Sequence, residues 1–260
     1  MPWFGGVAIA LGVMAIVAFV RTSPIGEPAS SSHSGRVKAA IIDQLCSLQP
    51  NEDFIQQTTE ELEACGFEVD LHQGDDVTVD FCRQLPSYGY NLIIFRAHSG
   101  LLGSEGETIR RTCLFTNEPY SEAKHVAEQL SDQLAKARID ENHPWVFSIG
   151  DEFVTQGMRA GFDHTVIIMM GCSCRYLEDL AQAFIEKGAS AYLAWDATVD
   201  LDYVDEATPY LMRQLCMDKV AIREVVTSTM NVVGPDPKHE AVLKYFPLRN
   251  GDKTLIQLIE

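Results

Sequence analysis

Positive charge is scarce in this chain. Twenty Lys and Arg stand against 37 Asp and Glu, a formal net charge of -17 over 260 residues. Phosphate backbones are repelled by such a surface, which argues against nucleic acid as a partner. The same imbalance draws basic groups toward a cleft, although surface acid ordinarily serves solubility. A glycine-rich phosphate loop is also missing: Leu45-Cys46-Ser47 follows the first apolar run, and a nucleotide or flavin site has little support. Paired zinc ligands are missing too. Cys172-Ser173-Cys174 is too tight a spacing and has no second Cys/His couple beside it, so neither a metal nor a cofactor is expected. The seven cysteines, at 46, 65, 82, 113, 172, 174 and 216, are odd in number and scattered through apolar patterns. They read as unpaired thiols in a reducing compartment rather than a disulfide framework. There is no internal repeat.

Long uncharged runs are absent except for one. Residues 2–20 carry no charge, just enough helix to cross a bilayer core, with Trp3 and Phe4 suited to the interface. A cleaved signal peptide is the rival, but the basic n-region and the A-x-A site it needs are missing. The expectation is a single-pass membrane anchor over 1–21. Arg21, Arg36 and Lys38 follow it, which by the positive-inside tendency puts the body on the cytoplasmic side. Residues 22–35, rich in Pro, Ser and Gly, read as a flexible linker in which His33 is inert. Residues 36–260 then form one α/β domain.

Within it the pattern alternates strand and helix: strand 37–45; helix 51–64, capped by Asn51, with Phe54, Ile55, Thr58, Leu62 and Cys65 on one face; strand 67–72; helix 77–85; strand 91–96. That βαβαβ order implies a parallel sheet with right-handed crossovers. Residues 101–163 interrupt it, with hairpin character over 101–120, an amphipathic helix over 121–137 (Val126, Leu130 and Leu134 inward, His125 on the surface) and a short helix over 152–158. A strand at 166–170, a helix at 176–187, a strand at 191–195, helices at 203–217 and 218–232 (Asp218 as N-cap) and an edge strand at 243–246 complete the pattern.

The run Val166 to Met170 is continuously apolar and passes straight into Gly171 and Cys172. Such a run reads as a strand buried on both faces. Its carboxyl end is where open α/β sheets bind ligands. A thiol there is a candidate nucleophile, although most free cysteines are small buried hydrophobes. His98 closes the strand at 91–96, and if the two strands are neighbours the side chains come within reach of one another. Imidazole is the usual base for a thiol. Backbone N–H groups of Cys172 and around Ser99 and Gly100 could bind an oxyanion. The bland alternative makes His98 a core histidine satisfied by backbone.

The segments Arg96-Ala97-His98-Ser99-Gly100 and Met170-Gly171-Cys172-Ser173, followed by Gly188-Ala189 and by Trp195-Asp196 with Asp200 and Asp202, resemble the caspase-like cysteine peptidases of clan CD: caspases, gingipains, separases and CHAT domains. The similarity spans 37–232 and is greatest on the separase/CHAT side. It implies a three-layer α/β sandwich around a mostly parallel, five- to six-stranded sheet. It further implies Cys172 as nucleophile, His98 as general base, and an oxyanion hole from Gly171, Ser99 and Gly100. The family has His followed directly by Gly, whereas here Ser99 intervenes; a catalytically inactive binding module is therefore the alternative to an endopeptidase acting on peptide or protein substrates. An acidic residue beside the thiol would select a basic residue at the cleaved bond. Asp196, with Trp195 as a wall, is the candidate, against the reading that Asp196 only starts a turn. Cys174 is read as structural, and Arg110-Arg111 as a surface pair or, alternatively, a self-cleavage site.

Overall fold

The apolar runs form the strands the pattern predicts. The chain is seen in a computed structural model that describes residues 37–103, 111–217 and 219–260. The expected anchor, the expected linker with His33, Arg110 and Asp218 lie outside the described residues. Among the described residues no helix is long and apolar enough to cross a membrane.

The main sheet begins with β1 (Lys38–Asp43), β2 (Glu68–Gln73) and β3 (Leu92–Arg96). The chain then leaves it for β4 (Ser99–Leu102), β5 (Arg111–Pro119), β6 (Leu134–Ala137) and β7 (Val146–Ile149), which make a separate antiparallel sheet in the order β4-β5-β7-β6. It returns with β8 (Val166–Met169), β9 (Ala191–Trp195) and β10 (Leu243–Phe246), giving a six-stranded sheet in the order β10-β9-β8-β3-β1-β2. All neighbours are parallel except β10, which runs antiparallel on β9. Every residue of β3, β8 and β9 is buried, as sheet covered on both faces requires.

One face carries α1 (Glu52–Ala64), α5 (Leu201–Leu215), α6 (Ile222–Val233) and α7 (Leu255–Ile259), whose Phe54, Leu62, Val204, Leu211, Val225 and Leu258 pack on Ile41, Ile94 and Ile168. The other carries α2 (Val79–Gln84), α4 (Asp179–Glu186) and the second sheet, packed on Ile42, Phe95 and Met169. Asn51 caps α1 as expected, accepting from the Phe54 N–H at 3.0 Å. Because β2 and β3 flank β1 on opposite sides, the crevice between β1 and β3 is the switch point of the sheet.

The interruption corrects two expectations. Residues 121–137 are not one helix: α3 spans only Val126–Leu130, with Val126 and Leu130 47% and 83% exposed, and Leu134 is buried in β6 against β7. A helical spacing there was satisfied by sequence alone, and strand pairing took the residues that follow. His125 is not on the surface but largely buried: its Nε2 lies 3.0 Å from Glu118 Oε1 and its ring meets Phe147 edge-on at 5.1 Å. Arg111, of the Arg110-Arg111 pair, is the first residue of β5, its backbone paired with Leu102. At the far end α6 starts at Ile222 rather than at 218, because Ala221 is held in an isolated bridge to Thr254.

A fourth correction concerns the thiols. Cys65 and Cys216, at the ends of α1 and α5, form a disulfide with Cα atoms 5.4 Å apart, while the other five cysteines are free. A sequence separation of 151 residues leaves no local spacing by which to read it.

Candidate active site

The ends of β3 and β8 are joined backbone to backbone. The two strands pair with Phe95 opposite Met169, and the Met170 N–H donates to the Phe95 carbonyl at 2.9 Å. Beyond the paired residues the two turns stay in contact, Gly171 lying against Ala97 and Ser99. Gly171 is required by the closeness: a Cβ there would lie 2.6 Å from the Ala97 carbonyl oxygen and closer still to Ser99 Oγ. The Ser99 hydroxyl donates to the Cys172 carbonyl at 2.6 Å and accepts from the Cys174 thiol at 3.1 Å. The serine that separates His98 from Gly100 is thus a stitch between the two turns. Cys174 is structural, as expected; burial pushes its thiol up to about 12.

The Cys172 turn is tied on its other side to β9. Ser173, with φ 56, donates its N–H to the Ala197 carbonyl, Arg175 donates to that of Trp195, and the Tyr192 hydroxyl donates to that of Cys174. Cys172 itself is half-buried, its Sγ 3.7 Å from the Val199 carbonyl oxygen. Among the described residues its backbone N–H meets no hydrogen-bond acceptor, so it is the donor left over for an oxyanion at this thiol.

His98 sits where the chain crosses from the main sheet to the second one. Its N–H donates to Gln44 Oε1 at 2.9 Å and its carbonyl accepts from the Phe115 N–H at 2.9 Å. The ring, 6.0 Å from that of Phe115, opens on a cleft of about 530 Å³ that Leu101, Arg138 and Trp145 also line. Burial holds its pKa below the ordinary histidine value, helped by His143 and Arg96. A neutral imidazole is what a general base needs. Cys172 does not line this cleft, and among the described residues no hydrogen bond joins ring and thiol. The oxyanion role expected of Gly100 is not supported: it belongs to β4, its backbone paired opposite Cys113 in the second sheet.

The two substrate-binding candidates fare differently from the dyad. Trp195 is 2% exposed, its ring edge-on to Tyr203 at 5.2 Å; it supports the site from beneath and is not an open pocket wall. Asp196 is engaged by the edge strand segment. Its Oδ1 accepts from the Val242 N–H at 2.9 Å, its own N–H donates to the Val242 carbonyl, and Lys244 Nζ stands 3.8 Å from Oδ2. Alternation along β9 puts it on the sheet face opposite Trp195, whereas Cys172 packs on the same face as Trp195. The structure therefore ties Asp196 to its neighbours, as the turn reading had it. Of the acidic residues further on, Asp200 pairs with Lys238, while the exposed Asp202 accepts from Gln49 Nε2 at 2.8 Å.

Sequence reasoning missed the charges beneath the site. Arg96, fully buried, is gripped by Asp205 through Nε and Nη2 at 2.8 and 2.7 Å, by Asp43 at 2.8 Å, and by the Gln49 carbonyl at 2.8 Å. Asn51 Nδ2 adds a bond to Asp205 at 2.8 Å. A buried charge persists only when it is paired this fully. Here the pairing locks the ends of β1 and β3 to α5 at the switch point. The available signal was a lone arginine closing an otherwise apolar run.

No protein-family model matches the chain, and no curated protein matches it significantly.

Proposed function

We propose that the protein is a cysteine endopeptidase in which Cys172 is the nucleophile and His98 the general base, tethered to a membrane through residues 2–20. The observation that carries this is the junction of β3 and β8, where Ser99 bridges to the Cys172 carbonyl and Gly171 packs on Ala97. It sets the two chemistry-bearing turns side by side at the carboxyl edge of a mostly parallel sheet with helices on both faces, the arrangement that the resemblance to caspase-like peptidases implies. In the reaction His98 takes the Cys172 proton, and the thiolate adds to the substrate carbonyl. The amine then leaves with the proton from the imidazolium, and water, deprotonated by His98, releases the acid and regenerates the thiol. The acidic chain favours a basic residue before the cleaved bond, and Asp202, exposed in the first turn of α5, is a candidate carboxylate for it beside the already engaged Asp196.

Turnover of fluorogenic Arg and Lys peptides by the full-length chain, lost in Cys172→Ala and in His98→Ala, is the expected result; equal turnover in either variant refutes the assignment. One observation favours a second reading, a silent caspase-like binding module: His98 faces a cleft that Cys172 does not line. That reading predicts no labelling of Cys172 by a basic acyloxymethyl ketone.

A further inference from the structure

Gln44 follows β1 directly and is 3% exposed, yet every polar atom of the residue has a defined partner. Its backbone N–H donates to the Arg96 carbonyl at 2.9 Å. Its side-chain oxygen accepts from the His98 N–H at 2.9 Å, and its Nε2 donates to Asn117 Oδ1 at 2.7 Å. Asn117, on β5, closes the loop by donating through Nδ2 to the Gln44 carbonyl at 3.0 Å and to that of Gly74 at 2.9 Å. A glutamine buried this deeply, with its amide aimed at a backbone N–H, is held by geometry that an apolar residue of similar size cannot reproduce. The backbone N–H it holds belongs to the residue at which the chain leaves the main sheet for the second one.

We infer that Gln44, braced by Asn117, is a positioning residue that fixes the His98 turn against the Cys172 turn. The inference rests on the Cys172/His98 reading above. Gln44 hydrogen-bonds the backbone of the turn, so its loss acts through the placement of His98 and not through a missing contact to substrate.

The test uses the full-length chain and reads the rate of Cys172 alkylation by iodoacetamide against pH, together with kcat and KM on an Arg peptide. In the wild type, His98 gives the alkylation profile an acid limb that His98→Ala abolishes. Gln44→Leu is expected to weaken that limb and to lower kcat on the order of tenfold or more at little change in KM, as misplacement of a reacting group does. Gln44→Glu, which keeps the acceptor for the His98 N–H but loses the donor to Asn117 and adds a carboxylate beside Asp43, is expected to retain more of the limb than Gln44→Leu while melting no higher. Leu258→Ala, in α7 away from the carboxyl edge of the sheet, is expected to lower the melting temperature without moving the limb. Asn117→Ala takes the place of Gln44→Leu if the latter does not fold, and is expected to shift the limb the same way by a smaller factor. A limb unchanged in Gln44→Leu and Asn117→Ala overturns the inference while leaving the dyad standing. A wild-type profile identical to that of His98→Ala overturns both.

Discussion

Removing the Cys65–Cys216 disulfide offers a test whose size follows from the structure. The bond joins the last turn of α1 to the last turn of α5 and closes a loop of 151 residues' separation. In the chain-entropy model a closed loop of that length stabilises the fold by about 5 kcal/mol, chiefly by restricting the unfolded chain. Other interactions between the two helices act differently. Phe54, Leu62, Leu211 and Leu215 bury apolar surface whichever redox state holds, and the Glu61–Arg213 ion pair is too exposed to compensate. For a domain of this size each kcal/mol moves the melting temperature by about 2–4 °C, so the loss should be roughly 10–20 °C. The assay is thermal unfolding of the oxidised full-length protein with and without dithiothreitol, beside the Cys65→Ser/Cys216→Ser double variant. The double variant should melt where the reduced wild type melts and should not respond to reductant. A wild type indifferent to reductant, or one in which both thiols alkylate freely after oxidation, refutes the reasoning. If the bond is found in protein isolated from the membrane, the domain faces an oxidising compartment, and the cytoplasmic orientation drawn from the basic residues after the apolar run is wrong.

Three further outcomes are expected. His98 is held below the ordinary histidine value by burial, so the acid limb of kcat/KM should lie below about pH 6.5. For stability the sign is the same: the unfolded chain takes up the proton first on acidification. The contribution of His98 is therefore full above about pH 6.5 and is lost as pH falls through the folded value, checked by comparing denaturant midpoints of wild type and His98→Ala across that window. Gly171→Ala drives a methyl group into Ala97 and Ser99; it should cost about 1–3 kcal/mol of stability and lower kcat by parting the two turns, as measured by urea unfolding and steady-state kinetics. Asp196→Asn, because its carboxylate is engaged by Val242 and Lys244, should leave the preference for Arg over a neutral residue unchanged, read from paired peptide substrates.

The main sheet was legible because buried parallel strands announce themselves. Leu92 to Phe95 and Val166 to Met169 are continuous apolar runs of strand length, and no helix of that length buries both faces. The adjacency of β3 and β8, on which the site depends, stayed conditional on the pattern and is supplied by the pairing of the two strands. Of the second sheet only the hairpin character of 101–120, seen as the antiparallel pair β4–β5, followed from the pattern; β6 and β7 did not. Val126, Leu130 and Leu134 meet a helical period, and the first two are indeed helical, but what decides the state of Leu134 is the partner strand β7, which periodicity cannot see. The same limit applies to Asp196. Its place at the end of β9 was readable, and counting alternation from Trp195 would have put it on the face away from Cys172. Only the structure shows that Val242 and Lys244 take up its carboxylate. Cys65 with Cys216, and Gln44 with His98, are contacts between residues far apart in the chain that no local pattern encodes.

Ser99 bears on rate as well as on placement. The family resemblance would put a glycine N–H directly after the histidine, where it can reach the oxyanion. Here Ser99 is held by its hydrogen bonds to Cys172 and Cys174, and Gly100 is drawn into β4, paired opposite Cys113. The Cys172 N–H is then left without a second donor from the histidine side. Loss of one oxyanion donor lowers kcat by about 10²–10³, because it acts on the charge that develops at the substrate carbonyl. Alkylation of a thiol develops no such charge. A Cys172 that reacts with iodoacetamide at a His98-dependent rate while turning over Arg peptides a hundredfold or more slowly than that reactivity would suggest is the kinetic signature this geometry requires. A fast peptidase would mean that substrate binding turns the Gly100 amide out of β4.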